Sequence, residues 1–522
     1  MTTGESSAPV APAGGTGTLL YEGPEWDFAR LKTVYDAVER IGVEEIGLDL
    51  YRNRLEVITA EQMLDAYASV GLPVMYKHWS FGKRFAQHET MYRKGLQGLA
   101  LELIINSNPS LCYIMEENTM TMQATVLAHA AMGHNHFFKN NQVFRQWTDA
   151  DAILDYMSFA KAFIAECEEI HGQRAVERVL DAAHALQSQG VDRYGRRERP
   201  DIAKERERAE ERWRQQRAEY NDLWRTVPTA PGKSAPSEAE LDEQTARRAM
   251  GLPEENVLYF LEKFAPRLKA WERELLRIVR NVAGYFEPQR QTKVMNEGCA
   301  SWCHHHIMTK LRERGQIDDG AMLEFLHLHA SVVFQPDFDD PRYSGLNPYA
   351  LGFNMMCDIE RICTEPTDED RAWFPDIAGN GDPFGTLREA WAAFRDESFI
   401  LQFLSPKVMR DMKLFDLLDD THESEVVINA IHDERGYRRV RRSLARSYDP
   451  AESEPRIEVM DADLSGDRTL ALCHTVREGR VLDALEARRV LRALARLWGY
   501  PVVLREIDEA GEHIFAEHKQ TP

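Results

Sequence analysis

SLCYIMEEN, residues 110–118, and MTMQATVLAHAAMGHNHFF, residues 120–138, decide how this chain is read. The first is a short apolar run between the Asn108-Pro109 break and a pair of glutamates, the pattern of a buried strand. LALELIINSN, residues 99–108, reads as a second strand beside it. The run from 120 is too long for a strand and apolar nearly throughout, which predicts a buried helix interrupted only by Gly133. It carries His129, His134 and His136. A strand pair feeding a histidine-bearing helix is therefore expected at the heart of the fold.

Outward from this centre the chain is mostly helical. WDFARLKTVYDAVERIG, residues 26–42, has apolar residues three and four apart and predicts a helix stopping at Gly42. In LEVITAEQMLDAYASVG, residues 55–71, Thr59 is an N-cap and Gly71 a stop. Strands are expected near 46–58 and 100–117. Residues 149–172 and 174–190 add two amphipathic helices, and helical patterning resumes at Asn256 and runs, with breaks, to about Leu418. Residues 196–217 hold nine Lys/Arg and six Asp/Glu, a charge-laced solvated helix inside a charged linker region of about 196–245. RIEVMDADLSGDRTLALCHTV (456–476), DALEARRVLRALARLWG (483–499) and VVLREIDEAGEHIFAEH (502–518) predict a ββαββ module with turns at Ser465-Gly466 and Ala510-Gly511. The expected organisation is a disordered tail over 1–20, a helical domain over 21–450 and a small α/β module over 455–522.

At 522 residues the soft prior is about 3.5 domains, which the pattern reduces to one large and one small. Lys+Arg 64 against Asp+Glu 85 leaves a net charge of −21, which disfavours bulk binding to nucleic acid or acidic membranes. There is no secretory signal pattern and no 18-residue apolar run. Seven cysteines make no disulfide framework. A reduced, cytoplasmic protein is expected.

Three clusters offer chemistry: His129 to His136; Asn296-Glu297 with Cys299, Cys303 and His304-His305-His306; and His327-Leu-His329 with the downstream Tyr343 and Tyr349. Imidazole and carboxylate are standard ligands for zinc and its relatives. His129 and His134 are five apart, about 140° round an α-helix and not a usual ligand pair. A bulge or helix end at Gly133 would bring them together. His129 and His136 share a face but are roughly 10 Å apart along it. Glu297 and His304 share a face, and Ala300 and Ser301 between them admit another helix closely. Cys299-x-x-x-Cys303-His304 lacks the paired spacing of structural zinc sites, so buried thiols are the simpler account. KHWSFGKRF, residues 77–85, is basic and aromatic and suits a phosphate or a packed turn. No phosphate-loop, dinucleotide or nucleophile-elbow motif occurs in a suitable context.

The order of strand, His-bearing helix, later Asn-Glu helix and then Tyr near Gly resembles the zincin plan. The fold class expected is thus mainly α with a small mixed sheet, a zincin-like α+β core, plus the C-terminal α/β module. The ligands would be His129, His134, Glu297 and His304, holding a divalent metal, zinc first. Tyr349 would stabilise an oxyanion. The His-Glu-x-x-His core is missing: Ala130 stands where that plan has its base, so Glu116 or, preferentially, Glu117 at the strand end would supply the carboxylate. The alternative is a core of buried, hydrogen-bonded histidines without a metal.

YKHWSFGKRF, NPSLCYIMEENT, LAHAAMGHNHFFKNN, VMNEGCASWCHHHIM, VVFQPDF, YSGLNPYALGF, WFPDIAG, RDESFILQFLSPKVMR and DLSGDRTL, spread from Glu22 to Asp467, resemble the SpoVR family, named after stage V sporulation protein R. The resemblance implies a role in spore cortex formation or stress response. As partners it implies a PrkA-type AAA+ protein and a von Willebrand A-type protein. It carries no agreed activity. His304 matches the family position, whereas His305 and His306 are additional here. Two functions follow: a metal-dependent amide or peptide hydrolase, and a non-catalytic assembly protein docking partners through its C-terminal module.

Overall fold

A computed structural model of the chain describes residues 18–68, 75–80, 83, 87, 102–193, 250–418, 427–463 and 466–522. They fall into two compact units, Met1–Lys161 with Pro288–Asp449, and Ala162–Glu287 with Pro450–Pro522. The described chain is mainly helical with small sheets. The charged segment 196–217 lies outside the described residues, as do most of the expected tail and most of 77–85.

In the first unit α1 (Phe28–Arg40) begins where the Asp27 carboxylate accepts the Arg30 N–H, and it buries Leu31, Val34 and Val38 at helical spacing. It does not stop at Gly42. A π-helical turn continues over Ile41–Ile46 and ends at Gly47, whose φ of 77° is the left-handed conformation that suits glycine. β1 (Asn53–Ile58) then leads to α2 (Ala60–Ala68), and Thr59 caps it as expected, its hydroxyl accepting the Gln62 N–H. β2 (Glu102–Ile105) and β3 (Ser110–Met115) complete a three-stranded sheet of order β1-β3-β2. β3 runs parallel to β1 and antiparallel to β2, with Glu102 opposite Ile114. The central strand β3 is buried along its whole length, which explains its unbroken apolar sequence.

α3 (Met120–Val126) leaves that strand, and the same rod continues to α4 (Asn135–Asn140). It packs on α5 (Lys293–Glu313), which is buried on nearly every face, with α6 (Asp319–Val332) and α7 (Pro348–Thr364) around it. α5 and α7 meet at glycines: a Cβ on Gly352 would stand 2.1 Å from the Val294 carbonyl oxygen. β4 (Asp416–Leu418) and β5 (Val427–Ala430) form a two-stranded ribbon against α8 (Glu434–Ser447).

The second unit holds the ββαββ module read from the sequence: β6 (Ile457–Ala462), β7 (Leu470–Thr475), α9 (Ala484–Trp498), β8 (Val502–Ile507) and β9 (Ile514–Gln520). Its sheet order is β6-β7-β8-β9, with the β7–β8 pair parallel and the outer pairs antiparallel. A helix crossover between parallel strands is what that pairing requires. The module does not stand alone in its unit. Glu254 and Val459 exchange both backbone hydrogen bonds, and α9 packs on the helix Gln173–Ala185.

Candidate metal centre

Thr119 starts α3 by accepting the Met122 N–H. From Leu127 to His134 the rod becomes π-helical. A π-helix bonds residue i to i+5 and has roughly 4.4 residues per turn, so residues five apart share a face. The awkward spacing of His129 and His134 is thereby resolved, and their ring centroids lie 4.7 Å apart. Gly133 is where the rod touches α5: a Cβ there would stand 2.5 Å from the Ala300 Cα. Only a glycine against a small residue lets the two backbones come this close.

On α5, Glu297 faces the same point. Its Oε2 lies 3.5 Å from His134 Nε2 and 4.0 Å from His129 Nε2, and one ligand atom from each residue falls within 4.8 Å of the others. Ligands about 2.1 Å from a tetrahedral ion lie about 3.4 Å apart, so the trio needs little adjustment to close on one. Glu297 Oε2 is buried and has no hydrogen-bond partner among the described atoms. A buried carboxylate oxygen left unpaired costs free energy, and a cation removes that cost. The donor set therefore fits a divalent metal.

A second carboxylate joins them from the sheet. Glu102, the first residue of β2, has Oε1 3.8 Å from His129 Nε2. Burial and the neighbouring charge of Glu297 push its carboxyl up to about 7. Burial, followed by the neighbouring imidazoles, holds His129 and His304 well below their ordinary value. Neutral rings leave lone pairs free for a metal.

The converging side chains are held from behind. His134 Nδ1 lies 3.0 Å from Asn296 Oδ1 and donates to it, so that Nε2 is the ring nitrogen turned toward Glu297. His129 Nδ1 lies 2.9 Å from His304 Nδ1, and His304 Nε2 lies 2.7 Å from His329 Nδ1 on α6. Asp396, fully buried, accepts the N–H groups of Val294 and Met295 and fixes the start of α5 one turn before Glu297.

Of the expected residues, His129, His134 and Glu297 converge. His304 stands behind His129, with both ring nitrogens engaged by other histidines. His136 points away: its Nδ1 accepts the Asp49 N–H at 2.9 Å, and its ring packs against Trp391. Glu117 is exposed beyond the end of β3, with its carboxylate accepting the Ala60 N–H, and Glu116 is exposed beside it. The carboxylate beside His129 is Glu102, whose sequence signal was a lone acid inside an apolar strand. Tyr349 sits in the first turn of α7, half-buried, and Tyr343 lies in the loop before it. Cys299 directs its thiol at the Gly133 carbonyl, and burial raises its pKa well above the ordinary thiol range. All seven cysteines are free.

Among the described residues no helix is long and apolar enough to cross a membrane. No solved structure matches the chain. It is 50% identical over 494 residues to the protein YcgB of Escherichia coli (strain K12), covering 95% of each chain. The model of SpoVR like proteins matches residues 25–453, and that of the SpoVR-like C-terminal domain matches 455–509. The first model takes in the whole histidine and glutamate cluster and the second begins where the C-terminal sheet begins, and on both counts the chain belongs to the SpoVR family.

Proposed function

We propose that this protein is a metal-dependent hydrolase of amide or peptide bonds, with a divalent ion, zinc first, held by His129, His134 and Glu297. The observation that carries the reading is the convergence of these three side chains on one point, with Glu297 Oε2 buried and without a hydrogen-bond partner among the described residues. His129, His134 and Glu297 would hold the ion, which would supply Lewis-acid chemistry toward a substrate carbonyl and a water. Glu102 takes the part of proton acceptor, because it stands beside His129 and is buried enough to hold a proton near neutrality. Tyr349 is the oxyanion donor in this scheme. His304 and His329 orient His129. The zincin-like layout of strand, histidine helix and later Asn-Glu helix supports the same reading. The cell compartment proposed is the cytoplasm, and the role is in stress response or spore cortex formation.

The test is metal analysis of the purified protein. About one equivalent of a transition metal, present as purified or after loading with zinc, manganese or iron, is expected. Less than about 0.2 equivalents after all three loadings overturns it.

A second reading rests on the C-terminal sheet lying in a different unit from the histidine cluster. In that reading the chain is an assembly protein that docks a PrkA-type AAA+ protein and a von Willebrand A-type protein through residues 455–522. Deleting those residues then abolishes pull-down of both partners, and undiminished pull-down excludes this docking surface.

A further inference from the structure

The C-terminal module contains a hollow of its own. β7 ends at Thr475, and the chain turns through Gly479, with a φ of 74°, before α9 carries it across to β8. β6 runs antiparallel to β7, so the residues leading into β6 lie at this same end. The Thr475 N–H donates to the Arg456 carbonyl, and Ile457 stands opposite His474. Between the two stretches is a hollow of about 130 Å³, whose lining includes Glu452, Glu454, Arg456, His474, Arg477 and Arg480. It lies at the carboxyl end of β7, which pairs in parallel with β8, the end at which α/β units hold small ligands.

The wall of this hollow is fixed from within. His474 is 4% exposed and Glu506, its register partner on β8, is 1% exposed. His474 Nδ1 donates to Glu506 Oε2 at 3.2 Å, and the same oxygen accepts the Leu482 N–H at 2.8 Å. The other oxygen, Oε1, accepts from His518 Nε2 at 2.8 Å. Burial opposes the charge of Glu506, but the Leu482 amide and the two imidazoles outweigh it and hold the carboxyl below its ordinary value. One buried carboxylate thus ties the end of β7 to the segment that enters α9. A hollow with walls so held takes a ligand with little ordering cost.

We infer that this hollow binds a free α-amino acid with a small side chain. Size and charge both select that class. A volume of about 130 Å³ is the share of about four liquid waters and lies well below the range of cofactor and drug-sized sites. It has room for about six or seven non-hydrogen atoms packed at protein density. The lining carries both signs, three arginines with two glutamates. Arg477 Nη1 stands 3.5 Å from Glu452 Oε1, so both signs are within reach of one small molecule. A simple oxyanion suits the arginines and is repelled by the glutamates, and a simple cation meets the reverse problem. A zwitterion, with its carboxylate and ammonium on one carbon, meets both: guanidinium takes the carboxylate and glutamate the ammonium. The inference stands on the second unit alone and is independent of the metal centre.

The test is isothermal titration of the full-length protein with glycine, L-alanine and L-serine, and with acetate, methylammonium and inorganic phosphate as probes of a single charge sign. At least one of the amino acids is expected to bind with millimolar or better affinity, and the single-sign probes at least about tenfold more weakly. Arg477→Gln is expected to cost at least about tenfold in affinity for that amino acid. Glu452→Gln is expected to weaken the amino acid and to tighten acetate, a reversal that mere loss of packing does not produce. Arg505→Gln, on the same sheet and paired with Glu517, is expected to bind as wild type does. Should Arg477→Gln melt abnormally, Arg480→Gln, whose side chain is 73% exposed, is still expected to weaken binding measurably. Absence of binding by all three amino acids overturns the proposal, as does wild-type affinity in both arginine variants. So does acetate or phosphate binding as tightly as the amino acid, or loss of acetate together with the amino acid in Glu452→Gln.

Discussion

The Nδ1 atoms of His129 and His304 lie 2.9 Å apart, so one ring must donate and the other accept. That single choice propagates. If His129 donates, its Nε2 carries a lone pair toward Glu297, while His304 donates from Nε2 to His329 Nδ1 at 2.7 Å. If His129 accepts, its Nε2 bears the proton instead and faces Glu102 and Glu297 as a donor. The first arrangement suits a metal, and the second suits the two carboxylates without one. The three rings therefore change tautomer together.

His134→Ala removes a converging imidazole, and Glu297→Gln removes the carboxylate charge at the same point. Each is expected to lower metal affinity by at least about 100-fold with unchanged helical content, as read by competition with a chromophoric chelator. Full occupancy in both variants places the metal elsewhere.

His329→Ala leaves every ligand in place but cuts the outer end of the imidazole chain. A loss of about 10- to 100-fold in metal affinity is expected, with most of it regained in His329→Gln, whose amide can still meet His304. A change below about twofold shows that the chain beyond His304 does not orient His129.

Glu102→Gln separates binding from chemistry. The variant is expected to retain its metal and to lose about 10²- to 10⁴-fold in hydrolysis of any peptide substrate that the loaded wild type cleaves. Wild-type turnover in the variant removes Glu102 from the reaction.

Gly133→Ala places a methyl group 2.5 Å from the Ala300 Cα, with backbone on both sides and no flexible side chain to yield. A destabilisation of about 1–3 kcal/mol is expected in denaturant titration, together with weaker metal binding because the contact carries both histidines. Unchanged stability means that the rods separate freely.

Asp370 gives the acid limb of stability. Burial works against its charge, but the bidentate Arg361 guanidinium and the Thr367 hydroxyl and amide outweigh burial and hold the carboxyl down at about 2. A carboxyl depressed from 3.8 to about 2 contributes ~2 kcal/mol that is present above the unfolded value and is lost as pH falls from about 4 through 2. Asp370→Asn is expected to lose about that much at neutral pH and to flatten the stability profile between pH 4 and 2. An identical profile in the variant excludes the pair as the source of that limb.

Much of this was legible from residue types and spacing. The apolar run of β3, the ββαββ order and the small residues Gly133 and Ala300 each follow from local rules. So did the need for a distortion near Gly133, because five residues do not fit an α-helical ligand pair. What was not legible depended on partners far off in the chain. Glu102 meets His129 only because β2 turns back antiparallel on β3, and nothing in its own neighbourhood marks its partner. Glu117 looked better placed because it adjoins the strand end next to the histidine helix. It lies past the last paired residue, however, where the chain has turned to cap α2. His304 has the right chemistry and face but is one layer too deep, and only the packing of α6 reveals it.

The widened turn from Leu127 to His134 also works as a phase shift within one rod. Without it, a continuous α-helix would carry the residues after His134 round to a different bearing. With it, His134 turns toward Glu297, while the next two residues, Asn135 and His136, turn toward the Asp49–Tyr51 segment, where they bond Tyr51 and Asp49. One added residue thus lets a single rod serve two polar clusters. Removing a residue between His129 and His134 would restore an ordinary four-residue histidine pair, at the cost of rotating the downstream anchor out of register.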